Sequence, residues 1–451
     1  MSQEVRYLSL CGLLGYGYPA ESLRRGLAAR PDFVGVDAGS TDPGPYYLGS
    51  GKGFAGPGQV RADLEPALIE AVRGGLPLVV GTAGGSGAAS HVDAFLEILH
   101  SICGQNDLHF RLATIRSDVS ADLVLDALDR GLIAPCGPSG ELTAPRVQAC
   151  GRIVAQMGTG PIIQALEAGA DVVVAGRCCD TAVFAALPIL RGLDPALSLH
   201  CAKIAECGTL CARPGGANDS LLCSVREDHF IVEPVNPQKR CFIDSVAAHS
   251  LYEQPDPLCF YEPEGKVDLS GCMFEPHGVR GVKVSGTRLE APTVPTIKLE
   301  GAALRGYRAI SIAGVRDPRV IAQIDEIEQQ VRQSVEASVV GRQGHSLRLL
   351  KYGLDAVTGP REIRPNDAPR EIGIVIEAVA PTQELADEIV ALARSTALHQ
   401  HFEGRKTTAG NLAFPFSPSD LQGGPVYEFS VYHLMQAPEP EALFSLTLEE
   451  F

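Results

Sequence analysis

Apolar positions in the first half of the chain form short continuous runs, most of them followed by a segment with helical spacing. "YLSLCG" (7–12), "DFVGVDAG" (32–39), "LPLVVGTAGG" (76–85), "FRLATI" (110–115) and "ADVVVAGRCCD" (170–180) predict strands. "PAESLRRGLAA" (19–29), "QVRADLEPALIEAVRGG" (59–75) and "SHVDAFLEILHSIC" (90–103) predict helices. Apolar runs that do not alternate belong to parallel strands covered on both faces. From 209 to about 300, prolines, turns and short β-rich runs replace the helices. "YRAISIAGV" (307–315) is again a strand, and 316–339 a long amphipathic helix with Asp317 as cap and Pro318 at its first position. Residues 340–370 read as polar and irregular. A strand at 371–380, a helix at 382–400 and a strand at 426–435 follow. The expected fold is α/β: a Rossmann-like, mostly parallel sheet with helices on both faces over 1-208. An α+β region over 209-451 follows, with a β-rich insertion and a C-terminal helix–strand portion.

Between the second strand and the next helix lies "VDAGSTDPGPYYLGSGKGFAGPG" (36–58). Glycine costs backbone entropy and proline lacks a donor, so this segment reads as neither helix nor long strand. It is too long for a simple strand-to-helix link and is expected to form one wall of a site.

The composition is that of a globular protein: 451 residues, 45% hydrophobic and 20% charged. A formal net charge of −16 argues against nucleic-acid or anionic-membrane partners. No basic leader precedes an apolar core and no run reaches membrane-spanning length, so a cytoplasmic location is expected. The 13 cysteines include no CxxC pair and read as reduced thiols. Zinc at Cys207 and Cys211 would need two further ligands.

In open parallel sheets ligands bind at the carboxyl ends of the strands, where the polar loops of this chain gather. "GTAGGSG" (81–87) lacks the GxGxxG spacing and a Walker lysine, so no nicotinamide or ATP motif is present. Its amides, with Gly84, Gly85 and Ser86, suit a generic anion, or form a tight strand-to-helix turn. Ser40, Thr41 and Lys52 in the opening loop, Arg177, Arg316 and Asn411 are further substrate-binding candidates. The arginine fork matches a carboxylate, although Arg177 and Arg316 could pair instead with Asp180 and Asp317. His91, Asp37 and Asp180 are the candidates for moving a proton, with His91 otherwise a solvent-facing imidazole. Glu206 and Glu300 are possible acids or bases. Asp42 and Asp93, with their neighbours, could hold a divalent metal, or serve a turn and a helix cap.

"VDAGSTDPGPYYLGSGK", "GTAGGSGA", "RIVAQMG", "EAGADVVVAGRCCDTAVFAALP", "KLEGA", "GYRAISIAGVRDP" and "AGNLAFPFSPSD" together resemble the acyclic terpene utilisation AtuA family over nearly the whole chain. The resemblance implies metabolism of branched acyl compounds or carboxylic acids, beside CoA-dependent steps. It supplies no catalytic residues. Longer members carry a C-terminal ferredoxin-fold-like domain with no counterpart after "VYEFSVYHLM". The resemblance thus implies a separate small subunit in its place.

The expected activity is that of a metabolic enzyme acting on a small carboxylate or acyl-CoA. Its chemistry would be that of a hydro-lyase or isomerase, abstracting a proton next to a carbonyl. The alternative is a ligand-binding or scaffold subunit that needs a small ferredoxin-fold-like partner. A homo-oligomer is expected.

Overall fold

The computed structural model describes residues 3–363 and 369–451. They form two compact units: the chain up to Ala303 together with Phe429–Phe451, and the described residues of Leu304–Glu428. The first half supplies strands β1 (Glu4–Ser9), β2 (Phe33–Asp37), β3 (Leu78–Gly81), β4 (Arg111–Arg116), β5 (Ile133–Pro135), β6 (Cys150–Ala155) and β7 (Val172–Ala175). Between and after them come helices α1 (Ala20–Ala28), α2 (Tyr46–Ser50), α3 (Pro57–Gly74), α4 (Ala89–Asn106), α5 (Ala121–Asp129), α6 (Ala144–Gln148), α7 (Thr159–Glu167), α8 (Asp180–Leu190) and α9 (Pro195–Ala205).

The first unit is built on a ten-stranded mixed sheet. Its centre is parallel, in the order β1-β2-β3-β7-β4. Every residue of β2, β3 and β7 is buried, as the unbroken apolar runs require. One face packs against α7, α8 and α9 through Ile162, Phe184 and Leu197. The other packs against α1, α3 and α4 through Leu23, Leu64, Leu68 and Phe95.

The expectation of a mostly parallel sheet needs correction at both ends. Beyond β1 lie Leu221–Arg226, His229–Pro234, Gly281–Ser285 and Met273–His277, all antiparallel to their neighbours. Two residues separate Leu221–Arg226 from His229–Pro234, and so short a link permits only antiparallel pairing. Beyond β4, Ser445–Glu450 adds antiparallel to the other edge. Also in this unit, residues 299–303 pair antiparallel with β6, and 433–435 with β5.

In the second unit, residues 307–315 pair with Ile372–Ala380, which pairs with Ser346–Tyr352, all antiparallel. Burial alternates strictly along Ile372–Ala380. Its buried face meets Ile327, Val331 and Val335 of the helix Ile324–Ser338 and Ile389 and Val390 of the helix Gln383–His399. Asp317 caps as predicted, accepting from the Arg319 amide at 2.8 Å. The single long helix does not form: Pro318–Ala322 and Ile324–Ser338 meet at Gln323, whose φ of −109° leaves the helical range. The stretch read as irregular contains Ser346–Tyr352, and its residues 364–368 lie outside the described residues. Among the described residues no helix is long and apolar enough to cross a membrane.

Candidate functional site

Three chain segments meet at the carboxyl ends of the central strands. Arg177 follows β7, Thr41 follows β2, and Lys298 and Glu300 stand two residues apart on the strand Thr296–Val315, hence on one face of it. Arg177 Nε donates to Glu300 Oε2 at 2.8 Å, and Lys298 Nζ meets Glu300 Oε1 at 2.8 Å. Thr41 Oγ1 donates to Glu300 Oε1 at 2.8 Å. Glu300 is 0% exposed, and burial alone would raise its carboxyl. The two cations outweigh burial and hold it down to about 2. Lys298 is the most exposed of the three charges, and its ammonium lies 4.3 Å from the centre of the Tyr432 ring. Burial works against the Lys298 charge, but Glu300 raises its pKa nonetheless.

Asp37 ends β2 and Asp180 opens α8, so both carboxyls stand at this end of the sheet. Burial pushes Asp37 well up, and the charge of Asp180 adds to it. Asp180 is also raised by burial, with Arg177 Nη1 at 3.5 Å pulling the other way. Asp37 Oδ1 and Asp180 Oδ1 have no hydrogen-bond partner among the described residues. Buried polar atoms are nearly always satisfied; Asp180 Oδ1 has the Arg177 ion pair at 3.5 Å.

Two clefts open here. One, of about 750 Å³, is lined by Thr41, Asp42, Arg146, Glu253, Lys298 and Tyr432 among others. The second, of about 710 Å³, includes Cys179, Tyr261, Glu262, Pro263, Lys298 and Leu434 in its wall. Lys298 lines both. Behind the second cleft, Lys203 and Glu206 of the α9 region form a buried pair at 2.6 Å. Burial pushes Glu206 up while Lys203 draws it back.

The glycine loop after β3 is used differently from the expected anion cradle. A side chain on Gly39 would lie 1.9 Å from the Gly85 carbonyl oxygen, and one on Gly87 would lie 2.1 Å from the Arg177 amide. Gly84 packs as closely on the His91 carbonyl. These glycines let three loops touch backbone to backbone, which fixes Arg177 relative to β2 and β3. Thr82 is held in the left-handed region (φ 42°), a strained state for a β-branched residue, with its hydroxyl against the Cys178 backbone. Ser86 is buried in the same turn, its Oγ without a partner among the described residues.

The other predicted residues fall outside this cluster or serve it indirectly. His91 is buried, not solvent-facing; its Nε2 lies 3.1 Å from both the Tyr47 and the Lys52 carbonyl oxygens. Burial lowers its pKa, so the neutral ring donates to these carbonyls and pins the opening loop. That loop contains the short helix α2, against the expectation of no helix, and the Lys52 side chain is exposed. Ser40 Oγ donates to Asp42 Oδ2 at 2.5 Å in a local turn. Asp93 does not cap α4, whose N-cap is Ala88, but pairs with Arg116 at 2.6 Å. Asp180 is likewise inside its helix, with Cys179 at the cap position. Among the described residues no group of three or more His, Cys, Asp or Glu side chains gathers to hold a metal. In the second unit, Arg316 is exposed and pairs with Glu371, not Asp317, at 3.3 Å. Asn411 donates to the Ala397 and Gln400 carbonyls, closing the end of the helix Gln383–His399.

Lys298, Lys203, Glu262 and Cys179 escaped the sequence reading. The i,i+2 pairing of Lys298 with Glu300 was a readable signal, as was the i,i+3 spacing of Lys203 and Glu206. Glu262 had none, because it comes from the β-rich region that the fold brings back to the sheet.

The model of the family described as "Acyclic terpene utilisation family protein AtuA" matches residues 51–212 and 227–416. The match includes Arg177, Cys179, Asp180, Glu262, Lys298 and Glu300 and begins after Asp37 and Thr41. No curated protein and no solved structure matches the chain.

Proposed function

The chain belongs to the AtuA family, linked to acyclic terpene utilisation, and from this we propose that the site at Lys298 belongs to a metabolic enzyme. In this reading it moves a proton next to the carbonyl of a small carboxylate or acyl-CoA, as a hydro-lyase or isomerase. The observation that carries the reading is the ion triad Arg177–Glu300–Lys298 beside two carboxyls of raised pKa. Lys298 offers its ammonium to an anion in the clefts, and Arg177 keeps it anchored through Glu300. A positive group fixed in advance stabilises the negative charge that develops as the proton leaves. A carboxyl whose pKa is raised is suited to take and return that proton. Asp180, at 29% side-chain exposure, is the more exposed member of the carboxyl pair, and Asp37 is buried at the same end of the sheet. His91 is not assigned a proton-transfer role, because its ring holds the loop carbonyls.

Titration calorimetry with short dicarboxylates and acyl thioesters tests the anion contact. Lys298→Met is expected to weaken binding at least about tenfold, the range of a charged hydrogen bond. An unchanged dissociation constant contradicts the assignment. The alternative of a scaffold subunit predicts turnover only in a mixture with a small partner protein.

A further inference from the structure

Cys179 stands at the N-cap of α8, in the wall of the second cleft, and is partly exposed there. Its Sγ donates to Glu262 Oε2 at 2.7 Å. Thr181 Oγ1 donates to the same oxygen at 2.8 Å and lies 3.6 Å from the sulfur. The neighbouring Cys178 is fully buried. We propose that Cys179 is a nucleophile toward activated acyl groups bound in the second cleft, with Glu262 as the base that takes its proton.

A thiol hydrogen-bonded to a carboxylate, with a third group orienting that carboxylate, has the arrangement of an activated nucleophile. Burial and the adjacent carboxylate push the Cys179 thiol well up, so attack depends on Glu262 taking the proton as the bond forms. Burial raises Glu262 to about 7, which makes it a carboxylate with real basicity at neutral pH. The Asp180 and Thr181 amides open α8 next to Cys179, on the side where an acyl oxygen would gather negative charge. Tyr261, Pro263, Pro292 and Leu434 give the cleft apolar walls suited to an acyl chain.

In the step, Sγ bonds to the acyl carbon as Glu262 Oε2 accepts the thiol proton. The tetrahedral species then expels the leaving group, breaking its bond to the acyl carbon, and that group takes the proton from Glu262. No oxidant or reductant is involved. The step does not require the proton-transfer reading of Asp180 to hold.

The test uses the full chain with p-nitrophenyl butanoate. Nitrophenolate release gives the rate, and mass spectrometry of peptides gives the acylated residue. The expected result is acylation at Cys179, with a rate that rises through pH 7 and then levels. Cys179→Ser removes the adduct, and Glu262→Gln slows its formation at least tenfold. An adduct absent from Cys179, or a rate unchanged by Glu262→Gln, overturns the proposal. Should Glu262→Gln not fold, the wild-type profile decides: a rate that climbs steadily beyond pH 9, as for an ordinary thiol, also overturns it. Loss of turnover in Asp180→Asn with Cys179 acylation intact would leave both readings standing. Acylation at Cys179 in a protein with no Asp180-dependent deuterium exchange beside a substrate carbonyl would remove the proton-transfer reading alone.

Discussion

Glu300 is the residue on which the site's electrostatics turn. It is fully buried, and two cations and a hydroxyl satisfy it. Replacing it with glutamine removes the closer counter-charge of the buried Arg177 guanidinium and leaves only Asp180, at 3.5 Å. Breaking a buried pair in this way costs about 3–5 kcal/mol, so Glu300→Gln should lower the melting temperature markedly, measurable by calorimetry. The pH dependence has a definite sign. The folded carboxyl sits at about 2 against an ordinary 4.5, so its stabilisation is present above 4.5 and is lost as pH falls through about 2. Glu262 acts oppositely. Its folded value is about 7 against 4.5, so its contribution is full below 4.5 and disappears as pH rises through 7. Stability curves of Glu300→Gln and Glu262→Gln should therefore part from the wild type at opposite ends of the acid range. At this scale the sequence was half legible: Arg177 was singled out at a strand end, where the structure pairs it with Glu300. Lys298 carried a signal in its i,i+2 spacing from Glu300, but that spacing does not tell that Glu300 is buried.

At the scale of elements, the segment 36–58 is built from short pieces tied to the rest of the first unit. Thr41 reaches Glu300, α2 packs Leu48 inward, and His91 of α4 holds the Tyr47 and Lys52 carbonyls. Removing that ring should free the segment without touching the sheet. Limited proteolysis of His91→Ala is expected to cut within residues 46–55 several times faster than in the wild type, and equal cutting would contradict the pinning role. The length and glycine content of this loop were readable from sequence as more than a simple strand-to-helix link. The glycines' contacts were not: whether a glycine admits a ligand or another loop depends on what the fold places opposite it, here Gly39 against Gly85. Likewise the run 316–339 kept its helical periodicity while the break at Gln323 left no mark in composition.

At the scale of the molecule, the parallel centre followed from unbroken apolar runs, whereas the antiparallel wings did not. The wings come from strands whose pairing is set by short links and by return of the chain from far away, neither of which periodicity encodes. Ser445–Glu450 is the plainest case, a polar strand that covers the β4 edge. An uncovered edge invites pairing with other chains, so deletion of residues 445–451 should increase aggregation on light scattering, and an unchanged profile would show the edge to be protected otherwise. The central claim is that Asp180, beside the Arg177–Glu300–Lys298 triad, moves a proton next to a substrate carbonyl. The most direct test is incubation of the protein in D2O with short branched carboxylates and their thioesters, followed by mass spectrometry for deuterium at the carbon beside the carbonyl. The account predicts deuterium in at least one compound, with exchange slowed on the order of 10²-fold or more in a folded Asp180→Asn protein. No exchange in any compound, or exchange undiminished in Asp180→Asn, would contradict it.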